Sequence, residues 1–242
     1  MRHCIGSNDT LIIMDRYARI EHKFPREFVL LQGTGCRWGR CTFCDYHHDT
    51  SADPYAINRP ILERVTGQYG VLDVINSGSA MELDEQTLAL LREVVRRCKI
   101  HTLWFEAHYM YRHQLARFAA QFTPARVKFR CGIESFDPAQ RLRWNKGIAP
   151  SVTATDIAAY FQGVCLLCCT RGEQRDRIVR DIALAKAHFE YLSINLFCNN
   201  NSAERRDERM VDWFVRTLYP QLRDDPQVEV LIDNTDLGVG GE

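Results

Sequence analysis

The chain has 242 residues, 45% hydrophobic and 26% charged, enough for one well-cored domain without a second. Lysine plus arginine equals aspartate plus glutamate at 31 each, with no long block of one sign, which argues against an extended nucleic-acid groove or a polybasic membrane patch. No stretch approaches the roughly eighteen apolar residues of a membrane span, and the opening MRHCIGSNDTLIIMDRYARIEHKF has no apolar run with a small-residue cleavage site, so a cytoplasmic protein is expected.

In chain order, residues 1–27 read as an N-terminal extension with one short amphipathic helix in LIIMDRYARIEH (11–22). FVLLQ (28–32) reads as the first buried strand. GVLDVINSG (70–78), IHTLWFEAH (100–108), VKFRCGIES (127–135), VCLLCC (164–169) and YLSINLFC (191–198) give five more. Helical periodicity lies between them in residues 84–98, 112–122, 151–160, 175–189 and 208–219, while Pro25 and Pro60 mark boundaries. QVEVLI (227–232) is a further short strand, at the sheet edge or across an open side, followed by the polar tail NTDLGVGGE.

Short apolar runs alternating with amphipathic helices predict an α/β fold with a parallel sheet, either doubly wound or a complete or partial barrel. The domain is expected over 28–220, with residues 221–242 packed on it. In either architecture ligands bind at the carboxyl ends of the strands, so GTGC (33–36), NSGS (76–79), EAHY (106–109), ES (134–135), TRGE (170–173) and NNNS (199–202) should converge on one face.

Of the ten cysteines, Cys98, Cys131, Cys165, Cys168, Cys169 and Cys198 sit mainly in apolar runs and read as small buried side chains. Cys36, Cys41 and Cys44 form a separate group in GTGCRWGRCTFCDYHH (33–48). Three thiolates can hold three irons of a four-iron cluster and leave the fourth open. The same cysteines with His47 or His48 match a Cys3His zinc site, and reduced thiols without metal are the third reading. Residue chemistry alone leaves these alternatives open.

The triplet, glycine-flanked after the first strand with Phe43 immediately before its last cysteine, resembles that of the radical S-adenosylmethionine (SAM) enzymes. The family's usual spacing has three residues between the first two cysteines, whereas RWGR gives four here. NSGSAME (76–82) occupies the place of the family's glycine-rich segment, with only part of its pattern kept; CGIESFD…RLRWNKGI resembles the family's fourth-strand segment and GVCLLCCTRGEQ its fifth. The resemblance covers residues 28–198 and implies a partial (β/α)6 TIM-like barrel. It implies a [4Fe-4S] cluster on Cys36, Cys41 and Cys44, with S-adenosyl-L-methionine at the open iron. Phe43, Asn76, Ser77, Gly78, Ser79, Glu134, Ser135, Cys168 and Arg171 would border the cosubstrate, and a flavodoxin or ferredoxin-type electron donor is the expected partner.

CDYHHD, VINSGS, FEAHYMYR and GIESFD…NKG also resemble the small lyases of bacterial queuine salvage, which release queuine from queuosine 5′-phosphate. That implies a small nucleotide substrate and disfavours stable nucleic-acid binding. Glu106, His108 and His47 are then candidate catalytic residues. Asp45, Tyr46, His48, Tyr109, Arg112, Lys146, Asn199, Asn200 and Asp233 are candidate substrate contacts.

Overall fold

The alternation of side chains along each strand decides the architecture. The computed structural model describes residues 15–239. Strand β1 (Tyr17–Ile20) pairs antiparallel with β2 (Arg26–Leu31), and parallel strands follow as β3 (Val71–Asn76), β4 (Thr102–Ala107), β5 (Arg126–Glu134), β6 (Gly163–Cys168), β7 (Tyr191–Leu196) and β8 (Val228–Leu231). Their order in the sheet is their order in the chain. Helices α1 (Pro54–Glu63), α2 (Glu85–Arg97), α3 (Leu115–Ala119), α4 (Pro138–Arg143), α5 (Ala154–Ala158), α6 (Arg175–His188), α7 (Glu208–Thr217) and α8 (Tyr219–Leu222) fill the connections.

One face of the sheet is apolar. Val29, Leu31, Leu72, Val74, Leu103, Phe105, Val164, Leu166, Leu192 and Ile194 are buried there, packed in one cluster with Leu62, Leu91, Phe118, Ile178 and Phe214 from the helices. Each such side chain contributes about 1.5–3 kcal/mol of burial, which holds the helices on the outside of the sheet.

The opposite face curls inward. Arg26 on β2 bonds Glu229 on β8 at 2.7 Å, although five strands lie between them in the sheet order, so the strands form a partial barrel. Asp73 lies beneath the interior and accepts from Arg26 Nε and Arg130 Nη1, each at 2.9 Å. Burial works to raise the Asp73 pKa, but the charges of Arg130 and Arg26 outweigh it and hold the carboxyl below its usual range. This paired floor closes one end.

The other end is open. Leu30, Ile75, Glu106, Leu167, Asn195 and Leu231 share the inward parity of the floor residues, and each is only half-buried. On β2 to β7 their outward neighbours within the strands, such as Leu31, Val74, Phe105, Leu166 and Ile194, are fully buried. The barrel therefore encloses an accessible interior beneath the carboxyl ends of its strands.

Two expectations are corrected by the structure. The helix expected over 11–22 is instead strand β1 where it is described, because Tyr17–Ile20 covers the otherwise unpaired edge of β2 and Tyr17 donates its hydroxyl to Glu27 at 2.7 Å; its residues 11–14 lie outside the described region. Pro60 is inside α1 rather than at a boundary. That helix starts on the Asp53 cap and Pro54, and survives the lost backbone bond because buried Asn58 ties it to Gln32 N and O at 2.7 and 2.8 Å. The strand expected over 227–232 joins the sheet at its edge beside β7, one of its two expected placements, and makes seven parallel strands among the described residues.

Candidate active site

The cysteine loop after β2 is clamped by the backbone of two other loops. Thr42 N–H donates to Trp144 O (3.1 Å), Trp38 Nε1–H to Asn145 O (2.7 Å) and Asn145 Nδ2 to Arg40 O (3.0 Å). From the β7 loop, Asn200 Nδ2 donates to Phe43 O (2.9 Å), Asn201 N–H to Asp45 Oδ2 (3.1 Å) and Ala203 N–H to Thr42 O (3.2 Å). Phe43, Trp144 and Phe197 form a separate apolar cluster against Cys41 and Cys44. The extra residue of the RWGR segment is accommodated by Trp38, whose ring lies over Gly147.

Cys36, Cys41 and Cys44 are half-buried and free of disulfides. Burial raises the Cys41 thiol and pushes Cys44 up to about 12, so both need a cationic ligand to release their protons at neutral pH. Among the described residues, no three His, Cys, Asp or Glu side chains gather closely enough to hold a single metal ion. A [4Fe-4S] cluster takes one thiolate per iron, and the three cysteines of this pinned loop supply the donor type for three of its four irons.

Glu82 organises the space between this loop and the NSGS turn. Its carboxylate accepts from Arg37 N–H (2.9 Å), Ser79 N–H (2.6 Å) and the Tyr111 hydroxyl (2.8 Å), and its carbonyl accepts from Thr34 N–H (3.1 Å). A β-carbon on Gly78 would stand 2.2 Å from Glu82 Oε2, so the turn approaches as only glycine permits. Ser77 Oγ accepts from Gly33 N–H at 3.0 Å, and Ser79 Oγ from His108 N–H at 3.0 Å. Asn76 Nδ2 bonds Ser79 O, leaving the buried Asn76 Oδ1 without a partner among the described residues. Glu82 was missed among the candidate residues; the Ser79–Glu82 spacing of a capping box was its signal.

Glu134 ends β5 at a bulge with φ of 65°, a left-handed backbone that turns its carboxylate onto Lys146 Nζ at 2.9 Å. Burial opposes the Lys146 charge, but Glu134 overrides it and holds the lysine protonated. Gly132 leaves the room: a β-carbon there would lie 2.9 Å from Glu134 Oε1, 3.2 Å from Glu106 Oε1 and 3.4 Å from Lys146 Nζ. Glu106 faces the interior and has no ion-pair partner among the described residues. Its contact is the Cys165 thiol at 3.6 Å, and burial raises its pKa.

His108 is committed on both ring nitrogens. Nε2 lies 2.7 Å from Lys146 O and must donate, so Nδ1 accepts from Met110 N–H at 3.1 Å. Burial, aided by the Lys146 charge, lowers its pKa to about 4. The neutral ring stacks on Trp38 and joins the cysteine loop to the 145–147 turn. Tyr46 stands in the interior's mouth, 60% exposed, its hydroxyl pKa raised by the surrounding protein and by Cys44, Glu106, Asp45 and Cys198. His47 and His48 lie side by side in the short turn 46–48, ring centroids 4.0 Å apart.

Other candidates are placed apart from this group. Tyr109 packs toward Phe161 with Arg112 over its ring, and Ser135 Oγ donates to Asp181 on α6. Cys168 points outward into the main core. Arg171 is exposed on the outer rim. Asn199 accepts from Arg206 N–H, Asn200 holds the cysteine loop, and Asp233 caps a turn near the tail while accepting from the Cys198 thiol. The inward parity of β6 and β7 instead brings Cys165, Ser193 and Asn195 to the interior wall, with Ser193 Oγ bonded to Asn195 Oδ1 at 2.9 Å.

A parallel partial barrel with a three-thiol loop after its first parallel strand defines a class, and comparison with solved structures agrees: the chain belongs to the radical SAM family. The particular relative is a queuine lyase from Clostridium spiroforme bound to SAM and queuine, matched with a TM-score of 0.89 and 35% identity over 94% of this chain and 100% of that one. No protein-family model and no curated protein matches the chain. Among the described residues, no helix is long and apolar enough to cross a membrane.

Proposed function

We propose that this chain is a radical SAM lyase that releases queuine from queuosine 5′-phosphate. The observation that supports this most is the end-to-end match, at 35% identity, to a lyase that holds both SAM and queuine. When bound, a [4Fe-4S] cluster with SAM would supply one-electron reductive chemistry at the sulfonium and, through it, hydrogen abstraction from the substrate.

The chain's own contribution is binding, orientation and exclusion of water. Cys36, Cys41 and Cys44 would hold the cluster, with Phe43, Trp144 and Phe197 packed against Cys41 and Cys44. The unpartnered Asn76 Oδ1 suits an ammonium donor, as in the methionine part of SAM, and the Glu134–Lys146 pair borders the same space. Glu106 is the anionic group on the interior wall free to receive the secondary amine of the substrate, and Tyr46 covers the mouth. His108, neutral and doubly bonded, positions the loop and transfers no proton.

Anaerobic, reductive turnover with 7-deazaguanine bases, nucleosides and 5′-phosphates tests this reading. Queuine appearing only from the 5′-phosphate, together with 5′-deoxyadenosine, is the expected outcome. Modification of intact tRNA in its place would overturn it.

A further inference from the structure

Trp144, at the end of α4, is fully buried, yet its indole Nε1–H has no hydrogen-bond partner among the described residues. Native folds nearly always give a buried donor an acceptor, so an orphan of this kind asks for one that the polypeptide does not supply. Trp38, by contrast, spends its indole N–H on Asn145 O at 2.7 Å.

The surroundings narrow the choice of acceptor. Trp144 stands edge-on to Phe43, ring centroids 5.5 Å apart, and the two rings pack with Phe197 against Cys41, Cys44 and Leu167. Phe43, Phe197 and Leu167 have only carbon side chains, and an aromatic face is a second-order acceptor. The side-chain heteroatoms in this packed group that can accept are the two cysteine sulfurs. The backbone holds the ring there: Trp144 O accepts from Thr42 N–H at 3.1 Å, between Cys41 and Phe43, and the next residue, Asn145, donates to Arg40 O at 3.0 Å. The same loop already turns one N–H on a sulfur, Gly39 N–H donating to Cys36 Sγ at 3.3 Å.

We propose that the Trp144 indole N–H donates to a sulfur of the cluster carried by Cys36, Cys41 and Cys44 and thereby raises its reduction potential. The inference rests on the cluster of the proposed function. Hydrogen bonds to the sulfurs stabilise the electron-rich reduced state, and solvent exposure acts in the same direction. The step affected is the transfer of one electron from a mediator to the cluster, with no bond made or broken and no proton moved.

Anaerobically reconstituted wild type, Trp144→Phe and Phe197→Leu are titrated with redox mediators in the absence of SAM, with the reduced cluster read by electron paramagnetic resonance and iron per chain by analysis. Trp144→Phe keeps an aromatic ring without the donor. At a fixed potential its ratio of reduced to oxidised cluster should fall about tenfold, which is about 59 mV for one electron. Phe197→Leu loosens the same packing with no donor lost, and water admitted there favours the more negative reduced state, so its ratio should hold or rise. Loss of packing alone therefore cannot imitate the result. In wild-type protein carrying 15N at its indoles, the reduced cluster should show a 15N hyperfine coupling that survives Trp38→Phe, a reading that stands even where Trp144→Phe does not fold.

An unchanged or raised ratio in Trp144→Phe at full iron content would overturn the assignment. So would the absence of 15N coupling in wild type, or a coupling that appears only once SAM is added. Wild-type protein that takes up no iron would overturn the proposed function as well, whereas full iron with an unshifted potential in Trp144→Phe would count against the Trp144 assignment alone.

Discussion

Replacing Glu82 with glutamine tests the organisation of the site at its least conspicuous point. The carboxylate takes two backbone N–H groups and one hydroxyl, at 2.6 to 2.9 Å. An amide keeps one acceptor oxygen and turns an NH2 group toward a donor that then has no partner. Losing one charge-assisted bond costs about 1.5–3 kcal/mol, and a buried donor left unsatisfied about 1–3 more. The variant should therefore be about 3–5 kcal/mol less stable, with the Ser79 backbone released while the kept oxygen still serves Arg37 and Tyr111. Denaturant unfolding measures the first effect, and iron bound per chain after anaerobic reconstitution measures the second. A loss below about 1 kcal/mol with normal iron content would refute Glu82 as the link between the cysteine loop and the NSGS turn.

Further outcomes follow from the same geometry. His108 has a depressed pKa, about 4, so the unfolded chain binds its proton first as pH falls through 6.5, and stability is lost from there down to about 4. Between pH 7 and 5 the wild type should lose about 2 kcal/mol that His108→Gln does not lose, as read by urea titrations at both pH values. Gly147→Ala should cost at least about 1–2 kcal/mol for a left-handed backbone at φ of 70°, and its β-carbon, 2.4 Å from a Trp38 ring carbon, should shift tryptophan fluorescence. Single serine replacements at Cys36, Cys41 and Cys44 should each abolish cluster absorption. Cys168→Ser, in the outward core, should retain it while lowering the unfolding midpoint.

The parallel strands were legible because each is a short apolar run bounded by polar turn residues, and the parity of such runs survives into the fold. Strand β1 was not, since Tyr17–Ile20 is held by pairing to an edge that only the assembled sheet presents. Prolines at both Pro54 and Pro60 hid α1, whose anchor is the tertiary bond from Asn58 to the Gln32 backbone. In the site, the cysteine spacing was readable because its ligands are local in sequence. The interior wall was not: Cys165, Ser193 and Asn195 sit in apolar strands where nothing local says which face becomes the inside. Asn199 and Asn200 read as substrate contacts, yet Asn199 accepts from Arg206 N–H within its own loop and Asn200 holds Phe43 O of the cysteine loop from 157 residues away.

The central claim is most directly tested by quantifying products when anaerobically reconstituted, reduced protein is supplied with SAM and queuosine 5′-phosphate. The account predicts about four irons per chain, with 5′-deoxyadenosine and free queuine formed together. One tightly held zinc per active chain, with SAM left intact and no queuine released, would contradict it.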